Sequence, residues 1–428
     1  MSAVVTAEGR SLVRGSASMA GSLVVAMTAT GAALQLMVPA FLGHLGGHAL
    51  YLQSLYLPFG FLSLAISEGL HVAAQVSVSA AHRRGQVAAV SGPLTALAAL
   101  GAGFFVLVSV GVWCASGVLT RILHVPAESG SDLRWFVSAM LIANGVTLGP
   151  GLAGAALRGV GRARDSAALA VARTVLIAGA VLGAQALWHM GALSVPIGFV
   201  AGSLPVGIVG WLAIRRTGIR LAPWTAWRGV LGPLRKVALP IVASFLVLSA
   251  SSLGSLWLLR NANPADVTGF GLVQGIQAFL VLPAIAIGSA TAITTVLSGA
   301  EPAGLRTLVR IALPAYTIIA FAVVALRIPL VHALTTDPSV RAAATGYLAV
   351  IGPSYLLFGL TLAALTYLEQ TGHATGALVV NVIFFGAVFA VAAALGQPLH
   401  ADTLILLLAI ANIPDCAAVL LYARLVTR

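Results

Sequence analysis

Apolar runs of about twenty residues or more recur along the whole chain, separated by short segments that hold most of the charges. About twenty apolar residues, at 1.5 Å of rise each, cross the roughly 30 Å hydrocarbon core of a bilayer as a helix. The pattern predicts six spans at about 16–42, 50–81, 91–119, 133–157, 166–188 and 194–214. Six more follow at about 237–259, 267–298, 307–334, 340–367, 375–396 and 402–423. No strand is predicted, so the expectation is an all-α polytopic membrane protein. The first run follows Arg10 and Arg14 and is too long for a cleaved signal peptide, so it reads as an uncleaved first span. The longest connection, about 215–236, combines Arg215, Arg216, Arg220, Arg228, Arg235 and Lys236 with Trp224 and Trp227. It reads as an interfacial linker between a six-span lobe at 1–220 and a second at 221–428.

Polar residues inside the spans are few. Two acids lie deep, Glu68 and Asp415. Glu68, His71 and Gln75 follow at i, i+3 and i+7, one face of a helix. Glu68 precedes Arg83 by about 22 Å of helix, which places its carboxyl near mid-membrane. An acid there costs about 2.5–3.5 kcal/mol on insertion scales, so it should face the protein interior or a water-filled cavity. It could take up and release a proton, with His71 accepting or passing it. The alternative is a structural carboxyl, hydrogen-bonded to a neighbouring helix or paired with Arg173. Asp415 follows Pro414, which lacks an N–H and frees the carbonyl of Ile410, so local polar company is expected. Asp415 is a second candidate for coupling, against a kinked helix whose polar groups satisfy one another.

Composition supports the span map. The chain is 59% hydrophobic and 8% charged, against about 25% charged in soluble domains. The net charge of +12 could point to nucleic acid in a soluble protein, but its placement explains it better. With a cytosolic N-terminus, 18 of the 23 basic residues fall on inside segments and adjoining span ends, as the positive-inside rule requires. Both termini are then cytosolic. Arg173 and Arg327 are the cations placed more than a turn inside a span. Cys114 and Cys416 fall in apolar runs and read as small buried hydrophobes. The outer histidines, His44, His48, His124 and His400, lack metal-ligand spacing, and no phosphate-binding glycine loop follows a strand. No enzyme, metal, cofactor or nucleic-acid role is expected. The composition fits a bacterial inner membrane, and the chain is expected to be monomeric.

The chain also repeats itself. An offset of 219 puts Gly69 on Gly288 and Phe61-Leu62 on Leu280-Val281, with Ile287 in place of Glu68. An offset of 211 lays Leu157-Arg158-Gly159-Val160-Gly161-Arg162-Ala163 on Leu368-Glu369-Gln370-Thr371-Gly372-His373-Ala374. Six spans per half give the halves the same orientation, so a pseudo-two-fold along the membrane normal should relate the lobes.

These segments carry a resemblance. Gly43-His44-Leu45-Gly46, Gly69 to Gln75, Leu157 to Gly161, Ala238-Leu239-Pro240 and Pro283 to Ala290 together resemble the multidrug and toxic compound extrusion (MATE) family over essentially the whole chain. The resemblance implies a V-shaped pair of six-helix lobes and cation-coupled export of small organic compounds or drugs by alternating access. The implied coupling ion is the proton, with sodium the alternative. Gln35, Asn144, Gln274, Gln277 and Asn381 lie in spans that line the family's cavity, which with Gln75 makes them candidate substrate contacts. Interhelical hydrogen bonding is the simpler role for each. Two departures stand out. Val38 occupies the position of the acid many bacterial members carry in span 1, and Val175–Leu182 lacks the polar pair of span 5. Rival readings are a flippase for lipid-linked saccharides of the same broad fold group, a major-facilitator exporter, and a non-transporting scaffold or receptor.

Overall fold

The computed structural model describes residues 33–220, 231–298, 301–395 and 399–426. The chain folds into α1 (Ala33–Leu45), α2 (Gly47–Arg83), α3 (Ser91–Ile122), α4 (Ala127–Gly159), α5 (Ala163–Trp188), α6 (Ser194–Arg215) and α7 (Leu239–Leu258). There follow α8 (Pro264–Ser298), α9 (Glu301–Ala325), α10 (Arg327–Leu334), α11 (Pro338–Ile351), α12 (Tyr355–Gln370), α13 (Ala374–Ala394) and α14 (Ala401–Val426). The described residues contain no strand. Eleven helical stretches among them are long and apolar enough to cross a membrane. One is the continuous stretch Pro338–Gln370, in which a single 3-10 turn joins α11 to α12. A shorter apolar helix, Gln35–Leu45, stands at the end of the expected first span. Side chains as apolar as Leu107 (73%) and Phe321 (75%) stay exposed, which suits surfaces that meet lipid rather than water. The middle of the expected linker, with Trp224, Trp227 and Arg228, lies outside the described residues.

Two expectations change. The ninth span ends at Ala325, and Arg327 opens the short helix α10 instead of lying within a span. Its Nη1 donates to the Val324 carbonyl at 2.7 Å, covering one of the last-turn carbonyls that have no intrahelical partner. Cys416 is buried, but Cys114 is exposed. The outer face of a membrane helix is as apolar as its core, so hydropathy alone does not separate the two.

By packing, the chain divides into a unit of residues up to Ser54 and from Gly254 onward, and a unit Leu55–Leu253. The boundaries fall inside α2 and α7, at other positions than the 1–220 and 221–428 halves of the repeat. In the Leu55–Leu253 unit, α5 and α6 meet backbone to backbone. A Cβ at Gly198 would lie 2.7 Å from the Val181 nitrogen, and one at Gly202 would collide with Ile177. Gly198-x-x-x-Gly202 is thus a small-residue seam that lets the helices approach. In the other unit, Tyr316 is fully buried against Gly359, and its hydroxyl donates to the Leu280 carbonyl.

The repeat at offset 211 appears as the same turn made twice. After α4, Gly161 has φ +82°, and Arg162 N donates to the Leu157 carbonyl at 2.8 Å. After α12, Gly372 has φ +93°, and His373 N donates to the Leu368 carbonyl at 2.8 Å. Each closes the preceding helix with a left-handed glycine and a six-to-one hydrogen bond. The other repeated pair serves packing: a Cβ at Gly69 would lie 2.7 Å from Val242, and one at Gly288 2.5 Å from the Ala363 carbonyl.

Candidate functional site

In the Leu55–Leu253 unit, three helices bring polar groups together. The end of α4 packs tightly on α2: a Cβ at Gly159 would stand 2.8 Å from Val78, and Ser79 Oγ donates to the Gly159 carbonyl at 3.2 Å. That approach delivers Arg158 to the polar face of α2. Its Nε donates to Gln75 Oε1 at 2.9 Å, and its Nη1 donates to Ser166 Oγ on α5 at 3.0 Å. Arg158 therefore ties α2, α4 and α5 together at one level. One heptad deeper, about 10 Å along both helices, Glu68 on α2 and Arg173 on α5 occupy the corresponding positions. Arg158 and Arg173 both act electrostatically on the Glu68 carboxylate, and on one another. Neither makes a direct ion pair with it among the described residues. The nearest basic atom is His71 Nδ1, 3.5 Å from Glu68 Oε1.

Burial separates these groups. The Glu68 side chain is 46% exposed and that of His71 13%. His71 Nε2 is buried without a hydrogen-bond partner and faces Gly151, where any Cβ would collide with the ring. Arg173 Nε is likewise buried and unpartnered. Nearby, Arg162 pairs with Asp165, so that acid does not neutralise the other two arginines.

The second deep acid lies in the other unit. Asp415 on α14 is 8% exposed, and its Oδ1 has no hydrogen-bond partner among the described residues. Pro414 sits inside a continuous helix instead of ending it. Asn412, one turn earlier, donates through Nδ2 to Ser354 Oγ at 2.9 Å. The neighbouring Cys416 interacts with Thr361 on α12. Among the described residues, no cation acts on Asp415.

Known structures give this arrangement its context. The family model MatE matches residues 240–394. The chain superposes on an inward-facing multidrug resistance MATE family transporter of the MOP superfamily with a TM-score of 0.77, at 15% identity, covering 96% of this chain and 98% of that one. The Vibrio cholerae MATE transporter VcmN in its bent form matches with a TM-score of 0.72 at 19% identity, covering 98% of both chains. A MOP superfamily transporter from Pyrococcus furiosus, described as having a binding pocket of reversed polarity, matches with a TM-score of 0.75 at 15% identity over 98% of both. The chain has the fold of these MATE transporters, and the MatE model matches a stretch of its second half. No curated protein matches it in sequence.

Within the MATE fold, the candidates read from sequence separate by environment. Glu68, His71 and Gln75 share one face of α2, and Gln75 is engaged by Arg158. Asn144 donates to the Tyr56 hydroxyl at 2.6 Å and to Ser63 Oγ at 3.2 Å, joining α4 to α2. Gln35 and Gln277, in the other unit, each keep a buried Oε1 without a partner. Gln274 is half-buried, and Asn381 is buried at 8% exposure. Val38, where many MATE members carry an acid, is buried at 4% exposure.

Sequence reasoning passed over Arg158, Ser166 and Gly151 as chemistry. Arg158 read as a topology charge at a span end, although it lies opposite Glu369 in the repeat, a reversal of sign that marks it. Gly151 carried no signal, because only the position of the His71 ring requires it.

Proposed function

We propose that this chain is a secondary transporter that exports small organic compounds by alternating access in exchange for protons, with Asp415 the proton-exchanging acid. The observation that carries the reading is the buried, unpartnered carboxylate oxygen of Asp415. An isolated ionised carboxylate in such surroundings is expensive, so its charge must be covered by a proton or a bound cation. A group whose occupancy decides whether its surroundings are stable can drive a change of conformation. Glu68 lies as deep in its apolar run, but it is only partly buried and has His71, Arg158 and Arg173 around it. Its charge is already compensated there, which suits organising a site better than carrying a proton. Sodium is the alternative ion for Asp415, since a carboxylate oxygen can be covered by a hard cation as well as by a proton.

The test is uptake into inverted vesicles under an imposed pH gradient, using labelled neutral, cationic and anionic compounds at matched protein levels. D415N should abolish gradient-driven uptake, and E68Q should leave a substantial part of it. A sodium gradient substituting for the pH gradient would transfer the role to sodium. Full gradient-driven uptake in D415N would overturn the assignment, and no transport of any compound by the wild type would overturn the function.

One observation favours a second reading. Two arginines at the Glu68 cluster are what a flippase for lipid-linked saccharides would need for its phosphates.

A further inference from the structure

The cluster on α2, α4 and α5 is short of one negative charge. Two guanidinium groups, Arg158 and Arg173, stand around one carboxylate, Glu68. Asp165 is taken by Arg162. Arg158 spends Nε and Nη1 on the neutral partners Gln75 and Ser166. Arg173 keeps a buried Nε–H with no acceptor among the described residues. Buried donors are ordinarily satisfied, and one on a charged group is costly to leave unmade. The carboxylate does not close the gap, since no guanidinium nitrogen of either arginine is in ion-pair contact with it.

The helix register shows why the gap is built in. Arg158 fixes the Gln75 and Ser166 level, and both helices carry the second pair, Glu68 and Arg173, a heptad away from it. Arg173 and Ser166 therefore lie on one face of α5, as Glu68 and Gln75 do on α2. A guanidinium offers a planar fork of donors that matches a carboxylate or phosphate. An organic cation would meet two like charges here and a single acid.

We propose that Arg158 and Arg173, with Ser166 beside Arg158 on α5, bind the carboxylate or phosphate group of an anionic ligand, and that Glu68 is the fixed counter-charge that holds the two arginines in place. The inference rests on the transporter reading and narrows its cargo to molecules bearing such a group. The ligand adds the missing negative charge and supplies the acceptor that Arg173 Nε lacks. Glu68 competes with the ligand for the same arginines, so removing its charge strengthens binding.

The test is direct binding to the purified full chain in phosphatidylcholine nanodiscs at one fixed pH. The probes are 2-naphthoate and 2-naphthyl phosphate, with 2-naphthamide and 2-naphthylmethylammonium as shape-matched neutral and cationic controls. The anions should bind about tenfold or more tightly than the amide. R173Q and R158Q should each weaken anion binding about tenfold or more, and E68Q should strengthen it. If R173Q alone does not fold, the pair E68Q and E68Q/R173Q provides the same comparison with the lone carboxylate removed. Equal binding of naphthoate and naphthamide, or anion affinity unchanged between E68Q and E68Q/R173Q, would overturn the proposal. Discs containing phosphatidylglycerol distinguish the source. Competition with naphthoate identifies a lipid phosphate as ligand, and its absence identifies a soluble anion. Anion binding without transport in liposomes would reject export and keep the site. Export confined to cations, with no anion binding, would do the reverse.

Discussion

Single residues matter here through what surrounds them. Glu68 and Asp415 are both acids deep in apolar runs, yet one is partly exposed among basic groups and the other is buried with no cation acting on it among the described residues. Sequence depth ranks them alike, because side-chain surroundings come from helices distant in the chain. Asp337 offers a residue-scale test outside the spans. It caps α11, accepting from Ser339 N at 2.9 Å and Val340 N at 3.3 Å, with Pro338 opening the helix. The Ser339 hydroxyl, at 2.6 Å, holds the Asp337 carboxyl below its ordinary value, and the two backbone N–H groups add to this against a small cost of burial. A lowered folded value means stability that is present above the unfolded value, about 3.9, and lost as pH falls through the folded one. D337A should therefore destabilise by about 1 kcal/mol at neutral pH. The difference from wild type should shrink below about pH 4. Thermal unfolding of both proteins across pH 3–7, a range set by that reference value, measures it, and a pH-independent difference would reject the charged cap.

Elements are joined by glycines of two kinds. Gly198 and Gly202 permit contact between α5 and α6, whereas Gly161 and Gly372 permit a backbone turn, with open space where a Cβ would stand. The second pair makes a quantitative case, since both have left-handed φ and the same hydrogen bond closes both turns. G161A and G372A should each destabilise by about 1 kcal/mol through backbone strain alone, and by similar amounts. G202L should cost more, about 1–3 kcal/mol, because two backbones would have to separate. Thermal unfolding in one detergent compares all three. A neutral G202L would mean that the seam contributes nothing.

For the whole molecule, the distribution of basic residues makes the strongest prediction. Single cysteines at His48 and His400, in a background lacking Cys114 and Cys416, should react with an impermeant thiol reagent from outside intact cells. Cysteines at Arg84 and Arg220 should react only after permeabilisation. Outside labelling at position 84 would invert the orientation and with it the direction assigned to transport.

The linear pattern by itself determined the helical class, the number of apolar runs and most of their ends, because span length is set by bilayer thickness and needs no partner. It also determined the repeated turn, since a left-handed position after a helix selects glycine locally. Three things were decided only in three dimensions. Arg158 became part of a polar cluster because Gly159 lets α4 close on α2. Asn144 became an interhelical tie because Tyr56 and Ser63 stand opposite it. Glu68 and Asp415 acquired different surroundings because one met two arginines on neighbouring helices and the other met none among the described residues. Each depends on which helix faces packed together, and in a chain whose outer faces are as apolar as its core, hydropathy carries no record of that choice.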